Sequence, residues 1–197
     1  ATFQHGRYAA YLVPLLTVAG LLGLKVGWRL VSEGMAFPQA RRLRTWGRLA
    51  VWGLVLLNVL AVDLKYARTY GRNVDHVNRM HVAMGKWLAT HTKPDAVVAA
   101  NDIGALGYFS RRRLLDTIGL VTPEILEFLQ PGAPADEGVL RFLEEKKPDY
   151  LVILPNWYPQ LAGRSDLFEP VHEIALEGQT IAGGNRLVAY RTAWGGR

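Results

Sequence analysis

The stretch 8-YAAYLVPLLTVAGLLGL-24 runs for seventeen residues without a charge, and 49-LAVWGLVLLNVLAV-62 runs for fourteen. A chain carrying two such segments must bury them against each other, in a protein core, or in lipid. A full membrane span takes about 20 residues, so the second segment alone is ambiguous. Three features favour lipid. Lys25, Arg29, Arg48 and Lys65 flank the segments, and their long stems can snorkel to lengthen each span. Tyr8, Tyr11, Trp28, Trp46, Trp52 and Tyr66 lie mostly near the segment ends, where interfacial aromatics belong. The connecting region 25-KVGWRLVSEGMAFPQARRLRTWGR-48 holds six Lys/Arg and one Glu, the pattern of a cytoplasmic loop.

The sequence therefore predicts a transmembrane helical hairpin over 1–67 and a domain on the opposite, extracytoplasmic face over 68–197. A soluble hairpin, or one lying in the membrane interface, is the alternative. Pro14 is expected inside the first helix, where neighbours or water would satisfy the freed carbonyl.

The formal charge of +6 raises the question of nucleic acid. Residues 1–63 hold seven Lys/Arg against two acids, whereas residues 64–197 hold sixteen against fifteen. The basic excess sits in the most apolar third, so no nucleic-acid partner is expected. Cysteine is absent, which excludes a disulfide framework, a thiolate metal site and a cysteine nucleophile. The opening residues lack the basic region of a signal peptide.

Beyond the apolar pair, helix is expected over 75–92 with Asp75 as its cap, and a buried strand over 96–101. A short helical turn over 103–109 leads to a strand over 112–116. The segment 122-TPEILEFL-129 reads as a helix start with Thr122 as cap and Pro123 in the first turn. An amphipathic helix over 137–147 and the strand 150-YLVILP-155 follow. A loop over 156–166 precedes two closing strands, 171–177 and 186–191, expected to pair as an edge hairpin. The fold class is α/β: a two-helix membrane hairpin followed by a small mixed-sheet α/β layer domain.

The segment 101-NDIGALGYFSRRRLLDTIGL-120 concentrates most of the functional candidates. Its glycines, Gly104 and Gly107, are spaced G-x-x-G, which does not meet the dinucleotide fingerprint, and no Walker lysine follows. Asp102 stands directly after a predicted parallel strand, where α/β domains gather polar function; capping of the next turn is the plainer role. Arg111, Arg112 and Arg113 could hold a phosphate, pair with Asp102 and Asp116, or line a solvated edge. Asp116 is explained by turn formation. His76, His81 and His91 share no i,i+4 face, and no metal or cofactor site is evident. His172 has no evident ligand partner, and Asn156, Trp157 and Tyr158 are either a pocket wall or core.

The residues 5-HGRYAAYLVP-14, the apolar pair and 98-VAANDIGALGYFSRRRLLDTIGLVTPEIL-126 resemble the C-terminal region of bacterial multi-pass glycosyltransferases of the GT-C type, arabinofuranosyl- and mannosyltransferase-like. There an Arg-Tyr pair like Arg7-Tyr8 precedes a late membrane helix. A block like D-x-G-A-x-G-Y-F…D-x-x-G-L lies in the extracytoplasmic domain. The resemblance implies a bacterial inner-membrane, multi-pass location and an inverting transfer of sugar from a polyprenyl-phosphate donor to a glycan or protein hydroxyl. It carries Asp102, Tyr108, Arg111 and Asp116 onto the family block, with Arg113 beside them as a phosphate candidate. Arg7 would meet a lipid phosphate.

The family's catalytic acid lies in an early loop that this sequence does not contain. The implied role of this portion is therefore support or acceptor recognition. The alternatives are a non-catalytic membrane-anchored scaffold of a larger membrane complex, and a soluble enzyme with its own site.

Overall fold

The computed structural model describes residues 12–33, 40–130, 132, 134–178 and 181–195. The chain separates into two compact units, Ala1–Gly71 and Arg72–Arg197.

The first unit carries α1 (Val13–Glu33) and most of α2 (Ala40–Val77). Both α1 and α2 are long and apolar enough to cross a membrane. The 21 residues of α1 rise about 31 Å, close to the hydrocarbon thickness of a bilayer. Leu15, Leu16, Leu22, Leu54 and Leu57 stand more than half exposed, an apolar surface that no part of the described chain covers. Pro14 takes the second position of α1, where its missing N–H has no intrahelical partner to lose.

One expectation fails at the end of α2. Asp75 does not cap a new helix, because α2 continues through it into a π-helical turn (Asn78–Val82) and α3 (Ala83–His91). No proline interrupts 40–91, and glycine alone is too weak a breaker to end a helix that tertiary packing supports. The helical run ends at Thr92, whose hydroxyl and amide both return to the Leu88 carbonyl.

In the second unit β1 (Val97–Ala100), α4 (Ile103–Ser110) and β2 (Arg113–Asp116) follow, then a 3-10 turn (Pro123–Glu127) and α5 (Ala135–Lys146). The chain closes with β3 (Tyr150–Ile153), α6 (Pro159–Ala162), β4 (Phe168–Ala175) and β5 (Arg186–Thr192). The five strands form one mixed sheet in the order β2-β1-β3-β5-β4. β1 runs parallel to β2 and β3, while β5 is antiparallel to both β3 and β4. The closing hairpin puts β4 at the edge, where Pro170 beside a bulge costs no ladder bond in the sheet interior.

Alternation along the strands divides the core. Ala99, Leu151, Ile153 and Val188 pack with Val139, Phe142 and Leu143 of α5. Val98, Ala100, Val152 and Ala189 pack with Met80, Met84, Leu88 and Leu106 from the helices around the π turn. The sheet is thus sandwiched between two helical layers, a mixed α/β arrangement.

The helix expected over 122–129 is only a 3-10 turn. Thr122 does not cap it, because its hydroxyl accepts the Asp116 amide at 3.0 Å instead. The segment read as a loop over 156–166 contains α6.

Candidate functional site

The carboxyl end of β1 delivers Asn101 and Asp102 between the parallel strands and α4. Asp102 occupies the N-cap position of α4, yet its side chain makes no capping bond. Its carboxylate lies 3.1 Å from Nε2 of His81, which is buried while Asp102 stays 47% exposed. The approach is close but poorly aligned for a hydrogen bond, and neither ring nitrogen of His81 has a hydrogen-bond partner among the described residues. The His81 imidazole nevertheless holds the Asp102 carboxyl below the usual carboxylate range, outweighing the opposite effect of burial.

Around this pair the interior is polar and under-satisfied. Nε2 of His76 and Oδ1 of Asn101 are also buried without hydrogen-bond partners among the described residues. The i,i+5 spacing of His76 and His81 does not put both on one face of an α-helix. The π turn changes that by absorbing an extra residue, and both side chains are buried close enough to interact. A chain's periodicity carries no mark of a π turn, so the sequence reading missed this pair. His76 also lies beside the Gly184 backbone. The neighbouring Gly183 carbonyl accepts from Asn156 Nδ2 at 3.1 Å and from Trp157 Nε1 at 3.0 Å. Gly183 has φ +74 and almost no room for a side chain against the Trp157 indole.

The other candidates do different work. Asp116 is fully buried, and its carboxylate accepts the backbone amides of Ile118, Leu120 and Val121. It shapes the loop over 117–121 and lifts Leu120 to 77% exposure. Arg112 is spent on the fold: its guanidinium donates to the carbonyls of Ala89, Thr92 and Ser110. Arg111 takes the left-handed position after α4 and is exposed. Arg113 lines a shallow hollow with Val121, Glu124 and Lys146. Among the described residues none of the three arginines pairs with Asp102 or Asp116, so of the roles open to them the ion pairing is not taken. Tyr108 stands 78% exposed, edge-on to Phe109 at 5.0 Å. Arg7 and Tyr8 lie outside the described residues.

Tyr158 is core, 3.5 Å from the Thr117 hydroxyl. His172 stacks on Trp87 at 4.5 Å, and His91 stacks on the same indole. No group of three His, Asp or Glu side chains among the described residues could hold a metal ion.

A family described as a domain of unknown function (DUF8728) matches residues 68–193, more than half of the chain. The chain belongs to this family. No curated protein and no solved structure matches the chain. The DUF8728 match takes in the sheet, the π turn and the His81–Asp102 contact, and begins after the apolar part of α2.

Proposed function

We propose that this chain is the C-terminal portion of a membrane glycosyltransferase that moves a sugar from a polyprenyl-phosphate donor to a glycan or protein hydroxyl. In this reading the DUF8728 domain recognises acceptor rather than making or breaking bonds. The observation that carries it is Asp102. A half-exposed carboxylate beside a buried imidazole, at the carboxyl end of a parallel strand, suits acceptance of hydroxyl hydrogen bonds from a sugar.

The test is Asp102→Asn in the full-length protein in its own membrane, with a labelled polyprenyl-phosphate sugar as donor. The acceptor KM should rise about tenfold, the equivalent of ~1.4 kcal/mol, with kcat nearly unchanged. An equal fall in kcat and kcat/KM would move Asp102 into the chemistry. No change in either parameter sinks the recognition role.

The second reading is a non-catalytic membrane-anchored scaffold of a larger membrane complex. It is favoured by Asp116 and Arg112, two charged residues of the family-like block that are consumed by the fold. Membranes enriched in the full-length protein that show no transfer above background would support it.

In both readings α1 and α2 form a membrane hairpin in a bacterial inner membrane. The basic 25–48 segment is cytoplasmic and the DUF8728 domain extracytoplasmic, following the charge asymmetry. The chain has no native cysteine, so single cysteines can report this topology. Glu177→Cys should react with a membrane-impermeant maleimide in intact spheroplasts, and Arg42→Cys only after lysis. The reverse pattern overturns the orientation, and labelling of both in intact cells overturns the hairpin.

A further inference from the structure

Within the first unit a groove of about 580 Å³ opens between α1 and α2. Its lining is ordered along both helices. Lys25 and Arg29 of α1 and Arg48 of α2 supply three cations, while Leu21 and Val51 lie about a turn further from the interhelical segment. Trp28 sits at the join, with Gly47 facing its ring and the Arg48 guanidinium 5.9 Å from its centroid. Any side chain at position 47 would drive into that indole, so the glycine is what lets Trp28 close the groove here. Among the described residues no acid lines the groove; Glu33, one turn beyond, bonds the Arg29 guanidinium at 2.7 Å, and Lys25 and Arg48 are the other two cations of the lining.

We infer that this groove binds one anionic phospholipid, with the phosphate-bearing headgroup on Lys25 and Arg48 and the acyl chains along Leu21 and Val51. Charge at one end and an apolar wall at the other match the polarity of a lipid and not of a free anion. Basic pockets between membrane helices take anionic headgroups for this reason. Trp28, apolar in body and polar at its ring nitrogen, suits the boundary between the two regions. The inference rests on the membrane reading of α1 and α2 and is independent of any sugar transfer.

The test uses the full chain in nanodiscs of phosphatidylcholine doped with phosphatidylglycerol of the same acyl composition, with lipid retention read by native mass spectrometry. Phosphatidylglycerol should be retained over phosphatidylcholine, and the preference should fall about fivefold for each charge removed in Lys25→Gln and Arg48→Gln. The conservative pair Lys25→Arg with Arg48→Lys should keep it, which separates lost charge from lost folding. Arg68→Gln, outside the groove lining, should leave it unchanged. Inorganic phosphate at millimolar concentration should not displace the lipid; displacement would reduce the site to a plain anion site and overturn the lipid assignment. Equal retention of both lipids by a protein that resists carbonate extraction overturns this inference alone. Release of the protein by carbonate overturns the membrane reading with it.

Discussion

Asp116→Ala is expected to lower the stability of the sheet domain by about 4 kcal/mol, from the loss of charge-assisted hydrogen bonds to three backbone amides. The side chain is fully buried, so water does not readily replace the carboxylate. The loss is smaller than the sum of three separate bonds because the loop itself is exposed and its freed amides can turn outward. Asp116→Asn keeps the volume but offers one acceptor oxygen and turns an NH2 group toward backbone donors, so it should cost about half as much. Denaturant unfolding of the full chain in detergent measures both. A change below about 1 kcal/mol for the alanine variant would mean that the loop over 117–121 holds its shape without this anchor. The anchored loop leaves Leu120 and Val121 exposed to solvent after β2.

Arg112→Ala should cost about 3 kcal/mol, by removing one guanidinium that serves two helix ends. Nη2 reaches the Ala89 carbonyl at 2.7 Å and the Thr92 carbonyl at 2.9 Å, Nε reaches the Thr92 hydroxyl at 2.9 Å, and Nη1 reaches the Ser110 carbonyl at 3.0 Å. These acceptors include final carbonyls of α3 and α4, which have no intrahelical donors. Arg112→Lys should recover less than half of the loss, because one ammonium cannot meet acceptors spread across a planar fork. Hydrogen exchange localises the effect: protection should fall first around residues 86–92. Faster exchange spread evenly over the sheet, with none concentrated there, would count against a tie between these two helix ends.

Much of the domain was legible because its elements are written locally. The run 150-YLVILP-155 has the composition of a doubly buried strand, and β3 occupies the middle of the sheet. The amphipathic pattern over 137–147 marked α5, whose Val139, Phe142 and Leu143 enter the core as that period requires. The two closing strands pair as expected, with β4 outermost.

Where the structure departs from the local signals, the packed chain offers a polar side chain another partner or carries the helix past it. Thr122 carries a good capping signature, but its hydroxyl serves the Asp116 amide. Asp75 could begin a helix, but the chain ahead of it is already helical. Arg111, Arg112 and Arg113 invited pairing with Asp102 and Asp116, yet backbone carbonyls claim Arg112 and backbone amides claim Asp116.

The sequence alone determined which segments are apolar, where charge gathers and which period each element follows, because these depend on neighbours within a few residues. It thereby set two helices fit to cross a membrane and an α/β domain after them. Only the tertiary structure decided which polar groups meet. The Asp149 carboxylate accepts the Val97 amide from 52 residues away, and His81, within the π turn, meets Asp102 from the end of β1. Such choices depend on which donor and acceptor the packed core leaves without water, and packing is a property of the whole domain rather than of any one segment.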